Sequence, residues 1–271
     1  MNNYEVVAKG GCQSAITGEP LCLSFTGEVL ISGWTDGKIR AYDAESGEQL
    51  WVIDNAHHNG VTSITSSHNK KFIVSGGEQG EVRVWEIRTR EMIVHLKQHT
   101  MQVSSLVLFD DDSHVVSASR DRTIYLWDLQ SETRKASLTQ RMGGINAITL
   151  LPDHVQVVSV GQEKSVGYWD LREPAPLAQV PAGHEQYAVA QFTPATADGN
   201  SDATILASAG VDFIVRIWRF KSGKVVATGV GHSAPVRSLQ FSPDGKQLVS
   251  VGEDAAILVW NIFIEDIIPS R

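Results

Sequence analysis

The chain has few of the residues that would point to a disulfide-stabilised, membrane-spanning or nucleic-acid-binding protein. Of its 271 residues only Cys12 and Cys22 are cysteines, too few for a disulfide framework and without the paired spacing of a zinc site. No stretch approaches the roughly 20 apolar residues of a spanning helix, and the first residues lack the apolar centre of a signal peptide. Its 23 basic residues are outnumbered by 31 acidic ones, and the net charge of -8 disfavours nucleic acid and anionic membranes as partners. The sequence therefore predicts a soluble protein of a reducing, cytoplasmic compartment.

An internal repeat dominates what is present. An aromatic residue followed by a mostly acidic or polar one recurs at intervals of 43, 42, 42, 49 and 42 residues. The pairs are Tyr42-Asp43, Trp85-Glu86, Trp127-Asp128, Trp169-Asp170, Trp218-Arg219 and Trp260-Asn261. Each pair closes an alternating, β-branched run such as EVRVWE or TIYLWD, and helical periodicity is absent. A period of roughly 40 to 45 residues with four short strands per unit is typical of β-propeller blades.

Two further markers recur with the aromatic residue. Histidines lie 28, 28, 34 and 28 residues before the tryptophan of their own repeat, at His57, His99, His184 and His232. A mostly acidic residue lies six residues before each aromatic, at Asp36, Gln79, Asp121, Glu163, Asp212 and Asp254. The longer histidine interval belongs to the fifth repeat, where we interpret the polar, turn-forming insertion at residues 195–201 as a loop.

These markers resemble the WD-repeat family, in which a histidine before the first strand, an aspartate in a tight turn and a tryptophan on the third strand form a hydrogen-bonded network. A strand Ser or Thr joins them. The resemblance implies a structural network of His57, Trp85, His99, Asp121, Trp127, His184, Asp212, Trp218, His232, Asp254 and Trp260. Repeat two has Gln79 in place of the aspartate, repeat four has Arg141 and Glu163, and repeat one lacks the histidine. An unpaired buried polar group costs roughly 1–3 kcal/mol, so a complete network makes a blade rigid.

The predicted fold is therefore all-β, a single WD-repeat β-propeller domain over residues 1–271 with six recognisable repeats and six or seven blades. Residues 4–11 (YEVVAKGG) have the pattern of an outer strand, yet no aromatic-acid pair precedes them. Either this strand completes the last blade, or the chain is the C-terminal part of a longer protein, which we favour. The tail IFIEDIIPSR is another candidate for an outer strand.

The repeat also argues against catalysis. Ser117 or Ser119 near His99 and Asp121 has the composition of a Ser/His/Asp triad, but residues that recur once per blade cannot all converge on one site. No third and fourth ligands accompany the neighbouring histidines, and the turn glycines do not lead into a phosphate-binding helix. We expect a non-enzyme with no metal, no cofactor and no small-molecule substrate.

Function must then come from the surface. Large apolar residues fall in or beside the loops that carry the histidine and aspartate markers, at Trp34, Met101, Met142, Tyr187 and Phe213. Exposed apolar clusters commonly mark protein interfaces, so these residues form a candidate partner-binding face. For each of them, burial between blades is the alternative. Trp34 stands out because the other repeats have glycine or serine at its position.

Longer segments carry a closer resemblance. SGWTDGKIRAYDAESGEQLWVIDNAHHNGVTSI, SGGEQGEVRVWEI and GVGHSAPVRSLQFSPDGKQLVSVGEDAAILVW resemble the C-terminal half of the cilia- and flagella-associated WD-repeat proteins found inside axonemal doublet microtubules. Members of that family have tandem propellers. The resemblance implies a structural protein of motile cilia and flagella, bound to the luminal wall of the doublet and contacting tubulin and neighbouring axonemal proteins. The alternative function is an intracellular adaptor propeller that captures peptides of a regulatory complex.

Overall fold

The computed structural model describes residues 18–194 and 204–263, and these residues consist almost entirely of strands and turns. Within these ranges the helical structure is a single 3-10 turn, Phe220–Ser222. The all-β prediction is confirmed. The predicted outer strand at residues 4–11, the insertion at residues 195–201 and the tail beyond Phe263 lie outside the described residues, as does Cys12.

The strands form six sheets in which consecutive strands are hydrogen-bonded in chain order. The first sheet contains β1 (Pro20–Phe25), β2 (Val29–Trp34), β3 (Ile39–Asp43) and β4 (Gln49–Ile53). The second and third contain β5 (Val61–Ser66), β6 (Phe72–Gly77), β7 (Glu81–Glu86), β8 (Met92–Lys97), β9 (Val103–Leu108), β10 (His114–Ser119), β11 (Thr123–Asp128) and β12 (Thr133–Thr139). The fourth and fifth contain β13 (Ile145–Leu150), β14 (Gln156–Gly161), β15 (Ser165–Asp170), β16 (Pro176–Pro181), β17 (Gln186–Phe192), β18 (Ile205–Gly210), β19 (Ile214–Arg219) and β20 (Lys224–Val230). The sixth contains β21 (Val236–Phe241), β22 (Gln247–Gly252) and β23 (Ile257–Asn261).

Each sheet is one blade of a β-propeller and corresponds to one sequence repeat. The marker aromatic lies on the third strand of every sheet, as Trp85 does on β7 and Trp260 does on β23. The prediction of six or seven blades is resolved in favour of six within the described residues. Five of these sheets have four strands, and the sixth has three in the part of the chain that is described.

The chain divides into two compact units. The first holds the described residues up to Asp121 together with Leu126–Lys135, and the second holds Arg122–Tyr125 and the residues from Ala136 onwards. In the first unit the inner strands β1, β5 and β9 pack side by side. In the second unit β13, β17 and β21 do the same. Within each unit, neighbouring blades therefore contact each other through their first strands in the same way.

Apolar side chains of successive blades form the core of each junction. In the first unit, Ile31 and Ile39 of one blade join Ile64 on the first strand of the next in one buried cluster. In the second unit, Ala207 and Ile217 join Leu239 in the same way. The second strands β6 and β18 are buried on both faces because they lie between strands and between blades, which explains their continuous β-branched and small residues.

In each blade, the residue that follows the Asp, Glu or Gln marker in the turn between the second and third strands has a left-handed backbone conformation. The residues are Gly37, Gly80, Arg122, Lys164, Phe213 and Ala255, with φ between 58° and 81°. At Gly80 a Cβ atom would lie 2.2 Å from the carbonyl oxygen of His99, so only glycine fits there. In the fifth blade the same turn position carries Phe213, whose side chain is exposed.

Candidate functional site

The third blade contains a complete chain of hydrogen bonds around Ser117. The indole N–H of Trp127 donates to Ser117 Oγ over 2.8 Å, and Ser117 Oγ lies 2.8 Å from His99 Nε2. His99 Nδ1 lies 3.1 Å from Asp121 Oδ2, which also accepts the backbone N–H of Thr100. A neutral histidine with its proton on Nδ1 satisfies every group, because the serine then donates to Nε2 and the histidine donates to the carboxylate. The network holds the loop, the turn and the third strand of the blade together.

The sixth blade has the same arrangement. Ser250 Oγ lies 2.7 Å from His232 Nε2 and accepts the indole N–H of Trp260 over 2.9 Å. His232 Nδ1 lies 3.0 Å from Asp254 Oδ2. The backbone N–H of Ser233 is the main cause that holds the pKa of Asp254 below its ordinary value. The carboxylate is thus ionised and fixed by donors.

The second blade supplies its carboxylate from a different place. His57 Nε2 lies 2.8 Å from Ser75 Oγ, which accepts the indole N–H of Trp85. Gln79 does not replace the aspartate; Glu81, two residues further on, lies 3.9 Å from His57 Nδ1, and that nitrogen has no hydrogen-bond partner. Burial is the main cause that lowers the pKa of His57 to about 4.

The fourth blade keeps only the serine and the tryptophan. Trp169 donates its indole N–H to Ser159 Oγ over 2.8 Å. Arg141 is exposed and does not occupy the histidine position; the preceding residue, Gln140, is buried and donates to the carbonyl oxygens of Met142 and Gly143. Burial is the main cause that raises the pKa of Glu163. Arg141 and Glu163 therefore do not rebuild the serine network.

In the fifth blade, His184 does not occupy the buried network position that the sequence predicts. The side chain of His184 is 59% exposed, and its Nδ1 lies 3.3 Å from Asp212 at the edge of the site. The buried residue is Gln186, whose Oε1 accepts the hydroxyl of Ser208 over 2.9 Å. Trp218 donates its indole N–H to the same serine. His57, His99 and His232 each lie four residues before the first residue of the strand that follows, whereas His184 lies only two residues before Gln186, the first residue of β17.

The exchange in the fifth blade leads to a direct test. Replacing Gln186 with Ala should lower the free energy of unfolding by roughly 1–3 kcal/mol, because the Ser208 hydroxyl loses its buried acceptor. His184→Ala is the matched control and should cost less than about 1 kcal/mol, as expected for a largely exposed ion pair. Urea denaturation of both variants measures the difference. A larger loss for His184→Ala would contradict the assignment.

In the first blade, Trp34 does not lie on the exposed partner-binding face that the sequence predicts. Its side chain is buried and not part of an exposed face, and its indole N–H donates to Ser32 Oγ over 2.7 Å. The guanidinium of Arg40 stacks over the indole at 4.5 Å and is hydrogen-bonded to both carboxylate oxygens of Asp36. Trp34 therefore provides the N–H that a tryptophan on the third strand provides in the other blades. Tyr42 occupies that strand position in the first blade and has no indole N–H.

The geometry of the third blade resembles a catalytic triad but lacks access to a substrate. Ser117 is fully buried and His99 is 4% exposed, so no external carbonyl group reaches the hydroxyl. Ser117 also accepts a hydrogen bond from Trp127, which a nucleophile would have to release. Among the residues that the structure describes, no group of three or more His, Cys, Asp or Glu side chains is placed to hold a metal ion. Across the same residues no helix is long and apolar enough to cross a membrane.

The surface candidates lie at one end of their blades. The loop before the first strand and the turn between the second and third strands share that end, which we call the loop face. In the second unit, Met142 in such a loop is 66% exposed and Phe213 in such a turn is 37% exposed. Tyr187 is half-buried, and the guanidinium of Arg237 stacks on its ring at 4.2 Å. In the first unit Met101 is exposed at the corresponding loop.

Acidic pH should weaken the fold through His57 and the turn carboxylates. His57 has an ordinary pKa of 6.5 and a folded pKa of about 4, so its stabilising neutral form is fully present above pH 6.5. That contribution is lost as the pH falls from 6.5 to about 4. The pKa of Asp254 is also lowered, so its ionised form stabilises the fold. This stability is lost as the pH falls below roughly 4, the pKa of an aspartate in the unfolded chain. The urea midpoint measured from pH 8 to pH 3 should fall in both ranges. His57→Gln should flatten the first range, and an unchanged profile would contradict the role of His57.

The six blades, each with a strand serine that accepts an indole N–H, define the chain as a WD-repeat β-propeller. The family described as WD domain, G-beta repeat matches residues 47–86, 90–128 and 223–261. More particularly, the chain is similar to cilia- and flagella-associated protein 52. It is 31% identical to the Homo sapiens protein over 252 residues, which is 86% of this chain and 37% of the relative. It is 33% identical to the Chlamydomonas reinhardtii protein over 248 residues, which is 90% of this chain and 39% of the relative.

A more distant relative has a different name. The chain is 25% identical to nuclear distribution protein nudF of Aspergillus niger over 237 residues, 88% of this chain and 37% of that protein. The chain thus spans less than two fifths of the length of the relatives it matches. The similarity to the first two relatives supports a cilium or flagellum as the location of this WD-repeat protein.

Proposed function

We propose that this chain is a non-catalytic scaffold of motile cilia and flagella that binds tubulin on the luminal wall of axonemal doublet microtubules, together with neighbouring axonemal proteins. The observation that carries the proposal is the exposure of large apolar side chains on the loop face, above blades whose strand serines are buried and hydrogen-bonded to an indole N–H. Met142 and Phe213 fill no core, and exposed apolar residues of this size are common at protein interfaces. The names of the relatives supply the ciliary context.

Charge restricts how such a scaffold would bind. The chain has a net charge of -8 and tubulin is also acidic, so long-range attraction does not drive the association. Binding would depend on short-range apolar contacts and on local cations. Arg237, stacked on Tyr187 and hydrogen-bonded to Glu253, is such a cation on the loop face of the second unit. A contact of this kind should be only weakly sensitive to salt.

Co-sedimentation with open tubulin sheets and with closed microtubules tests the proposal, because only the sheets expose the luminal surface. The chain should pellet with sheets well above its pelleting with closed microtubules at the same salt concentration. The double variant Met142→Glu, Phe213→Glu should lose most of this binding. Leu177→Glu is the matched control, since Leu177 is 57% exposed on the outer strand β16 of the same unit. Equal, negligible pelleting with both polymers would count against tubulin as a partner of this chain.

A second candidate function is an adaptor that captures a peptide on the loop face. The buried polar atoms of the second unit that have no hydrogen-bond partner include Asp212 Oδ1, Arg216 Nη1 and Asn146 Oδ1. Buried polar groups are normally paired, so a peptide that opened the turn and supplied donors and an acceptor would gain by pairing these atoms. Saturable binding of a defined peptide that is lost in Asp212→Ala, without any binding to tubulin sheets, would favour this function over the first.

A further inference from the structure

A groove of about 390 Å³ lies between the fourth and fifth blades and is here called the outer groove. Its walls are the outer strand β16 and the 3-10 turn Phe220–Ser222, which follows the third strand of the fifth blade. Turns after the third strand lie at the end of a blade opposite the loop face. The volume is within the range of ligand-binding pockets, roughly 300–1,000 Å³. Its lining residues include Tyr168, Leu177, Ala178, Val180, Phe220 and Lys221.

The tyrosine that lines the outer groove distinguishes the fourth repeat. The residue before the marker aromatic is Tyr168 there, whereas in the other five repeats it is aliphatic: Ala41, Val84, Leu126, Ile217 and Val259. Tyr168 is 7% exposed, and its ring centroid lies 5.4 Å from that of Phe220. Its hydroxyl is buried without a hydrogen-bond partner, and burial raises the pKa of Tyr168 to about 12. An occupant seated deeply enough to reach this protonated hydroxyl would gain by pairing it.

The first blade shows which side chain fills the equivalent position. Ala41 and Tyr168 each precede the marker aromatic of their repeat, and they pair across strands with Trp51 and Ala178 respectively. Trp51 and Ala178 therefore occupy one position on the fourth strand of their blades. The half-buried Trp51 lines a groove of only about 100 Å³ in the first unit. The exposed Ala178 leaves the outer groove room for an aromatic side chain of that kind.

The rim of the outer groove suits an acidic segment. Leu177, next to Ala178, is 57% exposed and supplies an apolar border. Lys221 is exposed, and the described residues that line the groove include no acidic side chain. In a chain with a net charge of -8 this rim is a local site of positive charge. Electrostatic complementarity therefore favours carboxylates beside the occupant.

We infer that the outer groove binds a tryptophan side chain from an acidic peptide segment of a partner protein. The indole packs between Ala178 and Phe220, in the space that Trp51 fills in the first blade, and its N–H donates to the hydroxyl of Tyr168. A neighbouring carboxylate of the peptide pairs with Lys221. The site lies away from the loop face and does not depend on the ciliary function.

Fluorescence polarisation of a labelled peptide tests the inference. The probe is GEQLWVID, residues 47–54 of this chain, because it carries Trp51 between two acidic residues. It should bind saturably to the 271-residue chain, and the peptide with alanine in place of tryptophan should bind at least about tenfold more weakly. Ala178→Trp should abolish binding by filling the groove. Ala227→Trp is the matched control, since Ala227 is exposed at the same position of the fifth blade, where it pairs with Ile217.

Two further variants separate recognition of the peptide from folding. Tyr168→Phe should leave the urea midpoint unchanged or raise it, because it removes a buried hydroxyl without a partner, and it should weaken peptide binding roughly 2–10-fold. Lys221→Glu should weaken binding most at low salt, where charges are least screened. Lys246→Glu is its control, since Lys246 is an exposed lysine outside the groove.

The inference would be overturned by an absence of saturable binding, or by binding that survives Ala178→Trp or falls equally in Ala227→Trp. Circular dichroism checks that the variants are folded. Leu177→Glu replaces Ala178→Trp if that variant does not fold, and unchanged binding in it would have the same meaning. Loss of binding in Asp212→Ala would place the peptide on the loop face and would also overturn the inference.

Discussion

Replacing Ser117 with Ala should lower the free energy of unfolding by roughly 2–5 kcal/mol. The serine hydroxyl bridges two buried groups, the indole N–H of Trp127 and Nε2 of His99, and both lose their partner. Each unpaired buried polar group costs roughly 1–3 kcal/mol, and the small volume change adds little. Urea denaturation followed by circular dichroism and tryptophan fluorescence measures the loss, with coincident transitions as the check on two-state behaviour.

Ser159→Ala is the matched control for Ser117→Ala. Ser159 is as deeply buried as Ser117, but its described hydrogen bond is with Trp169 alone. The loss should therefore be roughly 1–3 kcal/mol, the cost of a single unpaired group. Equal losses for the two variants would mean that the histidine contributes nothing to the network. The comparison isolates the histidine without changing it, which avoids the cavity that His99→Ala would leave.

Replacing Trp34 with Ala should destabilise the protein by roughly 3–5 kcal/mol, the range for removing a large buried aromatic side chain. The variant removes the indole that donates to Ser32 and on which Arg40 stacks, and it leaves a cavity in the first blade. Thermal and urea denaturation measure the loss. The protein should not lose binding to a partner beyond what unfolding explains.

Met142→Ala is the control for Trp34→Ala, because Met142 belongs to the same predicted face but is 66% exposed. It should change stability by no more than about 0.5 kcal/mol and should weaken partner binding instead. If Trp34→Ala left the denaturation midpoint unchanged, the buried position of Trp34 would be wrong and its assignment to the partner-binding face would return.

The sequence predicts the blades well because their signal is periodic. The aromatic marker and the alternating run before it place the third strand of every sheet correctly, as Trp127 on β11 and Trp218 on β19 show. In the five repeats marked by tryptophan, burial of one strand face and hydrogen bonding of the indole both favour the same residue type at the same position. Such features are recovered from spacing alone.

The network is harder to predict where a blade departs from the repeat. Spacing from the tryptophan identified His184, but His184 lies two residues before β17 and not four as in the other histidine-bearing blades, so Gln186 bonds the serine instead. The residue at which a strand begins is not sharply marked in a sequence. Trp34 was assigned to a surface because its neighbours in other repeats are small. A signal was nevertheless present: the only repeat with an extra tryptophan beside its turn is the one whose marker is Tyr42.

The outermost strands of the blades differ in their tendency to associate with other molecules. Strand β16 begins and ends with proline, which removes backbone donors from its outer edge. Strand β23 has the sequence ILVWN, without proline or charge, and no described strand pairs with its outer side. Ile257 and Val259 on it are exposed. Where β23 has no partner, its apolar and uncharged edge favours association between copies of the chain, and a lysine at position 259 is the substitution of choice for keeping concentrated samples free of aggregates.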